Sequence, residues 1–274
     1  MEKIKLSDIN LDKLEKYKIQ GTKSTMYHNE EQCIKILNKL YPDEKEILYK
    51  KLLDMDGIVL DGVLMPKDLI VDNGQLVGYT MENFKNSINI LDYLTSTRLI
   101  DCKDIFKVIK EASLILKKIH ETGIICQDLS FDNILIDTNG NIKYSDIDGC
   151  TFRDYKSPFM SMLLKRFLID YRKDKLCCTS KNTDRISFML SFYLVMYLQE
   201  LQKLSKKKYH SLSDNISTLE NCRKYANMLL SFRTLPDVPY LDELINDNDS
   251  YIIDRDKQIS IKQKILNILI VNCR

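Results

Sequence analysis

The sequence lacks the features that mark membrane and secreted proteins. Its longest mainly apolar run, Phe188 to Leu198, would extend about 16 Å as a helix, whereas a bilayer core needs about 30 Å. The N-terminal segment MEKIKLSDINLDKLEK is charged and contains no apolar signal core. These absences predict a protein with no membrane segment and a cytoplasmic location.

Cysteine clustering and charge imbalance are also missing. The eight cysteines are scattered without a C-x-x-C pair, which fits a reducing compartment and argues against a zinc site or a disulfide framework. The formal net charge is only +2, so the composition offers no electrostatic footprint for nucleic acid. With 44% hydrophobic residues over 274 positions, the chain can form one large domain or a two-lobed domain with a substantial core.

Three polar residues between Ile119 and Gly149 stand at spacings that apolar packing does not require. Asp128 is followed five residues later by Asn133, and Asp146 comes thirteen residues after that. Between them, TNGN separates two short β-prone runs, which predicts a hairpin that returns the second acid towards the first. Two carboxylates and an amide arranged in this way suit a divalent metal held by hard oxygens, together with a general base.

This stretch carries a family resemblance. The segment DLSFDN at 128–133 resembles the catalytic loop H-R-D-L-x-x-x-N of eukaryotic-type protein kinases, and DID at 146–148 stands in place of D-F-G. The resemblance implies that Asp128 orients and deprotonates the acceptor hydroxyl, and that Asn133 and Asp146 hold magnesium on the ATP phosphates. Asp and Asn are common in loops, but the hairpin and the second acid favour the functional interpretation.

The segment from Leu14 to Leu37 predicts three strands joined by turns at Gly21 and at NEE 29–31. It resembles the kinase glycine-rich loop and the strand after it, with Lys35 as the lysine that reaches the ATP phosphates. The loop departs from the family because Lys23 and Met26 stand where further glycines would lie. From this segment alone, a lysine on an exposed strand face remains the alternative.

Pro42 to Met55 predicts a helix, with proline at its front and acids in its first turn. The resemblance implies that a glutamate of this helix pairs with the strand lysine. Glu44 is preferred, because Ile47 and Leu48 would then lie on the core-facing side. Glu46 remains an alternative, and either acid could instead favour the helix N-terminus electrostatically.

Downstream elements complete the pattern. Residues 58–82, with a hairpin turn at DNG 72–74, would finish the small sheet. His120, at the end of a predicted helix over 101–121, is expected to be structural. Asp184 resembles the aspartate that hydrogen-bonds the catalytic-loop backbone from the start of a buried kinase helix. The apolar face of the 101–121 helix consists of Ile105, Val108, Ile109, Ala112, Ile115, Leu116 and Ile119.

The resemblance implies an α+β, bilobal protein kinase-like fold, with a β-rich N-lobe at 1–82 and a helical C-lobe at 83–274, together one domain at about 14–274. It implies an ATP- and Mg²⁺-dependent phosphotransferase, foremost a Ser/Thr-type protein kinase acting on a protein, with Asp128 and Lys35 catalytic. The residues expected to contact the nucleotide are Gly21, Ser24, Lys35, Glu44, Met81, Glu82, Asn83 and Leu135.

Departures from the family keep two alternatives open. Cys126 and Gln127 replace the usual His and Arg, and Ser130 replaces the lysine two residues after the catalytic acid. Asp148 replaces a glycine, and the D-x-D that it completes also resembles aminoglycoside and choline kinases. A small-molecule kinase is therefore one alternative. A pseudokinase that serves as a binding module is the other, and the glycine-poor loop motivates it.

Overall fold

A computed structural model shows an α+β protein, as the sequence predicts, with a mixed six-stranded sheet, a three-stranded sheet and helices. The structure describes residues 1–17, 24–38, 40–95, 102–156, 180–189, 191–192 and 239–244. The chain divides into two compact units, Met1–Asn86 with Tyr144–Asp148, and Ser87–Lys143 with Gly149–Arg274. Within the described ranges, no helix is long and apolar enough to cross a membrane.

Six strands of the first unit form its sheet. They are β1 (Lys3–Lys5), β2 (Glu15–Lys16), β3 (Ser24–His28), β4 (Gln32–Leu37), β5 (Pro66–Asp72) and β6 (Gln75–Glu82). Their order is β1-β5-β6-β4-β3-β2, and the pairs are antiparallel except for β1, which is parallel to β5. β4, β5 and β6 are rich in β-branched and aromatic side chains, which pack well on a pleated surface and become the buried centre of the sheet.

The parallel strand at the N-terminus has no clear sequence signal. Residues 1–13 are mostly polar, and Ile4, whose Cα lies opposite that of Ile70, is the single apolar residue of β1. A parallel pair needs a long connection, here from β1 to β5, instead of a short turn. Local patterns therefore cannot reveal this pairing.

The turns of the first unit follow their sequence signals. Asn73 and Gly74 join β5 to β6 with φ of 47° and 79°, the left-handed conformations that a two-residue hairpin turn requires. In the turn before β4, the side-chain oxygen of Asn29 accepts hydrogen bonds from the backbone N–H groups of Glu31 and Gln32, each at 2.9 Å. Both turn predictions are confirmed, while Gly21 lies outside the described residues.

Helix α1 (Pro42–Asp54) packs against β6. Its buried positions are Leu48, Lys51 and Leu52, which share one narrow face at helical spacing. Ile47 is 53% exposed. The prediction of a core-facing side is therefore correct for Leu48 and wrong for Ile47, because a helix on one face of a sheet buries only a narrow stripe.

The second unit is organised by helix α3 (Cys102–Glu121). The predicted apolar face is confirmed: the seven residues from Ile105 to Ile119 that compose it are buried, between 0% and 7% exposed. Asp101, the first residue of the predicted helix, lies outside the described residues. The short helix Leu241–Leu244 packs on α3, where the Ser113 hydroxyl donates to the Asp242 carboxylate at 2.6 Å.

A three-stranded sheet follows the order β7 (Ile88–Asn89), β8 (Ile134–Ile136) and β9 (Ile142–Tyr144), and helix α2 (Ile90–Thr95) follows β7. The turn between β8 and β9 is held by Asp137, whose carboxylate accepts from the backbone N–H groups of Asn139 and Asn141 at 2.8 Å each. Gly140 has a φ of 85°, which a glycine adopts without strain. The hairpin predicted over this stretch is confirmed.

Candidate active site

The segment of the second unit where the sequence predicts a catalytic loop is a tight turn with its own hydrogen bonds. Gln127 has a φ of 60°, and the next residue, Asp128, donates its backbone N–H to the Cys126 carbonyl at 2.6 Å. The Asn133 side-chain amide donates to the carbonyl oxygen of Asp128 at 3.2 Å. The expected base and the expected metal ligand are therefore joined directly, which fixes their spacing.

Ser130 stabilises the same loop from within. Its hydroxyl accepts from the Asp132 N–H at 3.2 Å and caps the 3₁₀ turn Phe131–Asn133. Phe131 in that turn is fully buried and packs edge-on against Phe188 of the helical segment 181–189, at 5.2 Å between ring centroids. At the position where the resemblance places a lysine, this chain has a small capping residue.

Asp184 braces the loop backbone, as the sequence predicts. Its carboxylate is fully buried and accepts from the N–H of Cys126 at 2.6 Å and from the N–H of Gln127 at 2.8 Å. His120 Nε2 lies 3.0 Å from the same carboxylate, and His120 Nδ1 lies 2.8 Å from the Tyr240 hydroxyl. The network is satisfied when Nε2–H donates to Asp184 and Nδ1 accepts from Tyr240.

This geometry gives His120 the structural role predicted for it. The ring is completely buried and connects the loop brace to Tyr240, and burial raises the pKa of that phenol. Because a buried carboxylate needs several donors to replace water, the three donors around Asp184 explain why a charge can lie there. The backbone of the loop at Cys126 and Gln127 is therefore held in position by the buried Asp184 carboxylate.

Cys126 and Gln127, which depart from the protein kinase pattern, are held in the loop by uncharged groups. The Gln127 side-chain oxygen accepts from the Thr151 hydroxyl at 2.6 Å, and Ile125 and Thr151 exchange two backbone hydrogen bonds. Burial and the negative charge of Asp184 hold the pKa of the Cys126 thiol well above its usual range. The loop is thus anchored without the buried cation that an arginine would supply.

Lys35 lies in the centre of the first unit's sheet. It is 7% exposed, and its Cα pairs with that of Met26 on one side and that of Tyr79 on the other. Its ammonium donates to Asp146 Oδ1 at 2.5 Å and to Asp148 Oδ1 at 2.8 Å. The alternative interpretation of Lys35 as a lysine on an exposed strand face is therefore wrong. The side chain is buried, and its ammonium is compensated by two carboxylates.

Asp148 and Tyr79 complete this buried cluster. Burial opposes the charge on Lys35, but the negative charge of Asp148, together with the charge and hydrogen bond of Asp146, outweighs it and holds the pKa of the ammonium well above its usual range. Burial would raise the pKa of the Asp148 carboxyl, yet the positive charge of Lys35 keeps that pKa below its ordinary value. Burial, followed by the charge of Asp148, raises the pKa of the Tyr79 phenol.

Asp146 differs from Asp148 in its exposure. The Asp146 side chain is 54% exposed, whereas that of Asp148 is 11% exposed. Asp146 also has a φ of 61°, in the left-handed region that non-glycine residues rarely adopt and that functional sites often contain. An exposed carboxylate held in a strained conformation beside a buried ammonium can bind a cation while the lysine binds an anion.

The residues that the sequence assigns to magnesium offer suitable ligand atoms. Asp146 has a largely exposed carboxylate, and Asn133 carries a side-chain oxygen beside the amide nitrogen that donates to the Asp128 carbonyl. Mg²⁺ prefers such hard oxygens and usually binds one or two protein ligands, with water and substrate phosphates in its other positions. Within the described residues, no cluster of three or more His, Cys, Asp or Glu side chains could hold a metal alone.

The two glutamates considered as partners of Lys35 are engaged elsewhere. Glu44 accepts from the Tyr41 backbone N–H at 2.8 Å and forms the capping box of α1. Glu46 pairs with Lys50 at 2.7 Å on the helix surface. The pairing predicted for Glu44 is therefore replaced by Asp148 and Asp146, and Glu44 has the helix-terminal role that the sequence also allowed.

The other residues expected near the nucleotide lie on defined elements. Ser24 is buried at the start of β3, and Met81 is buried in β6, opposite Cys33. Glu82 ends β6, and Leu135 lies in β8. Asn83 accepts from the Tyr17 hydroxyl at 3.0 Å and donates to the Asn29 carbonyl.

Three residues of the Lys35 cluster were missed by the sequence reasoning. Lys51 is a buried lysine of α1, and its ammonium donates to the backbone carbonyl of Asp148. Its position three residues after the buried Leu48 was an available signal, because a lysine within the apolar stripe of a helix needs a partner. Position 78 of β6 requires glycine, because the neighbouring strand β4 lies so close that an added Cβ would overlap the Lys35 carbonyl oxygen. For Tyr79, no sequence pattern predicts a position beside Lys35.

Comparisons with known proteins give partial similarity. No family model matches the chain. The serine/threonine-protein kinase MST20 of Pyricularia oryzae is 26% identical over 137 residues, 48% of this chain and 15% of that protein. The serine/threonine-protein kinase CST20 of Candida albicans is 27% identical over 118 residues, 43% of this chain and 9% of that protein. The chain thus matches only a small part of each relative, and this similarity to Ser/Thr protein kinases indicates a kinase-like domain.

Proposed function

We propose that the chain is an ATP- and Mg²⁺-dependent protein kinase of the Ser/Thr type. The observation that carries the proposal is the hydrogen bond between the Lys35 ammonium and Asp146, two residues separated by 111 positions in sequence. A buried cation beside an exposed carboxylate suits a phosphate together with its metal. The partial similarity to Ser/Thr kinases supports the same class. A two-lobed domain at about 14–274 and a cytoplasmic location are part of this proposal.

Each side chain has a defined role in the proposed reaction. The acceptor hydroxyl oxygen bonds to the γ-phosphorus of ATP, the bond from that phosphorus to the β–γ bridging oxygen breaks, and ADP leaves. Asp128 orients the hydroxyl and takes its proton, while Lys35 neutralises charge on the phosphate oxygens. Asn133 and Asp146 would hold Mg²⁺, which when bound supplies positive charge to the phosphates. Gly21, Ser24, Met81, Glu82, Asn83 and Leu135 are proposed to contact the nucleotide.

The test is phosphate transfer from ATP in the presence of Mg²⁺, measured by mass spectrometry on the chain itself and on generic protein substrates. Asp128→Asn and Asp146→Asn should each abolish the signal, because one removes the base and the other the negative charge of a metal ligand. Asp132→Asn is the matched control, since it makes the same chemical change on an exposed residue of the same loop. Equal phosphate incorporation in Asp128→Asn and Asp132→Asn would contradict the proposal.

A small-molecule kinase is the second candidate, and the cluster around Asp148 favours it. Asp148 stands where protein kinases have glycine, and Ser130 caps a turn where they have a phosphate-neutralising lysine. This candidate predicts turnover of an amine- or hydroxyl-bearing metabolite, without labelling of protein substrates. A panel of aminoalcohols and aminoglycosides, assayed by ADP release, separates the two candidates.

Nucleotide binding and phosphate transfer, measured together, separate both candidates from a pseudokinase. A ligand present at about 100 times its dissociation constant stabilises a folded protein by about 2.7 kcal/mol. Stabilisation by Mg²⁺–ATP without transfer to any acceptor would indicate a nucleotide-binding module. The absence of a shift at saturating nucleotide would remove the phosphotransferase proposal entirely.

A further inference from the structure

Lys35 has two carboxylate partners, and their surroundings differ. Asp146 Oδ1 lies 2.5 Å from the ammonium and Asp148 Oδ1 lies 2.8 Å from it, but the Asp146 side chain is 54% exposed and that of Asp148 is 11% exposed. Solvent competes for the exposed carboxylate far more than for the buried one. The permanent counter-charge of Lys35 is therefore Asp148.

Asp148 is itself fixed from several sides. The Tyr79 hydroxyl hydrogen-bonds to its carboxylate, and the Lys51 ammonium of α1 donates to its backbone carbonyl. The adjacent Ile147 is buried and anchors the short 3₁₀ turn Ile147–Gly149. A carboxylate whose side chain and backbone are both held can impose one position on the ammonium that it binds.

The Tyr79 ring adds a third constraint on Lys35. The Lys35 ammonium lies 5.7 Å from the centroid of that ring, within the range of a cation–π contact. Glu44 and Glu46 of α1 do not orient the Lys35 ammonium, since Glu44 caps the helix and Glu46 pairs with Lys50. The charge that orients Lys35 thus comes from the segment that carries Asp146.

We propose that Asp148 is the positioning residue of the phosphate-binding lysine, and that it holds Lys35 so that Asp146 remains available to the metal. This inference rests on the proposed function. Without Asp148, Asp146 would be the remaining carboxylate of the pair to hold the ammonium, and Lys35 would compete with Mg²⁺ for it. Loss of Asp148 should therefore weaken phosphate and metal binding together, while contacts to the base and ribose of the nucleotide are unchanged.

The experiment is a double-mutant cycle of Asp148→Asn and Lys35→Met on the full chain. The readouts are the thermal shift with Mg²⁺–ATP and with adenosine, and kcat and KM for ATP. We expect Asp148→Asn alone to lower affinity for Mg²⁺–ATP, or kcat/KM, by about 10- to 100-fold, as removal of a supporting residue typically does. Adenosine binding should not change, and Asp148→Asn should add nothing in the Lys35→Met background.

Two further variants keep the test decisive. Asp148→Glu retains the carboxylate and should recover part of the loss, which a role in packing alone would not predict. It also replaces Asp148→Asn if that variant does not fold, as judged by far-UV circular dichroism. Glu44→Gln tests the rival helix acid. A large loss in Glu44→Gln that is non-additive with Lys35→Met would overturn the proposal.

Failure of this inference is distinct from failure of the proposed function. If the wild type transfers phosphate and Asp148→Asn matches it, or if the losses in Asp148→Asn and Lys35→Met simply add, Asp148 does not act through Lys35. If no nucleotide stabilises the wild type and no phosphate is transferred, the proposed function fails and the positioning role fails with it. A non-additive loss that is confined to phosphate-bearing ligands supports both.

Discussion

Replacement of Asp184 should loosen the loop at Cys126 and Gln127 and destabilise the second unit. The fully buried carboxylate accepts from the N–H groups of Cys126 and Gln127 and contacts His120. Hydrogen bonds to charged groups contribute about 1.5 to 3 kcal/mol each, and a buried donor left without a partner costs about 1 to 3 kcal/mol. Because these terms overlap, we expect Asp184→Ala to lower the free energy of unfolding by about 3 to 6 kcal/mol.

Asp184→Asn is the sharper perturbation, because it preserves the volume of the side chain. The amide keeps one acceptor oxygen but places an NH₂ group where the second backbone N–H donates. We expect a loss of about 2 to 4 kcal/mol, between the wild type and Asp184→Ala. Tyr240→Phe removes only the hydroxyl at His120 Nδ1 and should cost about 1 kcal/mol.

The assay is urea denaturation followed by far-UV circular dichroism, with the midpoint and slope fitted for each variant. We expect Asp184→Ala to be the most destabilised of the three variants, followed by Asp184→Asn and then by Tyr240→Phe. A loss below about 1 kcal/mol for Asp184→Ala would refute the reasoning, because it would mean that the loop N–H groups find other partners at little cost.

Three further predictions concern the first unit. Gly78→Ala should lower the free energy of unfolding by about 2 kcal/mol or more in urea, because the new Cβ would overlap the Lys35 carbonyl oxygen of the neighbouring strand. Glu44→Ala should lower it by about 1 kcal/mol, because the Tyr41 N–H loses its capping partner. Burial raises the pKa of the Cys33 thiol from 9.0 to about 11, so the folded state keeps a neutral thiol where the unfolded chain ionises. Its contribution, about 2 to 3 kcal/mol, is complete below pH 9 and is lost as the pH rises through about 11, so Cys33→Ala should flatten the alkaline fall in stability.

Each of these predictions has a contrary result. If Gly78→Ala has the same free energy of unfolding as the wild type, β4 and β6 can move apart to admit the new Cβ at no cost in stability. An unchanged melting temperature in Glu44→Ala, with Glu46→Ala as the matched surface control, would show that the cap contributes nothing. Parallel stability curves for the wild type and Cys33→Ala between pH 9 and pH 11 would contradict the assigned shift.

Features of the fold that depend on neighbouring residues were predictable. The Asn73-Gly74 and Gly140 turns follow from the backbone angles that these residues adopt, and helix α3 follows from the spacing of its apolar residues. The brace from Asp184 was also predictable, because the resemblance implied that this aspartate hydrogen-bonds the backbone of the loop. In each case a local pattern or a known motif fixes the geometry.

Features that depend on packing between distant segments were not predictable. The face of α1 that meets the sheet leaves Ile47 exposed, although its sequence spacing allowed burial. Asp148 departs from the D-F-G pattern in the sequence, but its position beside Lys35 depends on the whole path of the chain from β4 to β9. Because Glu44 and Asp148 carry the same charge, the sequence cannot show which of them pairs with Lys35. Tertiary structure determines that the partner is Asp148.

The parallel strand β1 has a consequence for self-association. On one side the six-stranded sheet ends in β1, with three residues, and on the other in β2, with two. Lys3 and Lys5, and Glu15 and Lys16, are exposed on these short strands. Short charged edges resist pairing with a second chain. Removal of residues 1–5 would open the edge of the seven-residue strand β5, which contains Leu69 and Ile70, and would expose a template for intermolecular strand addition.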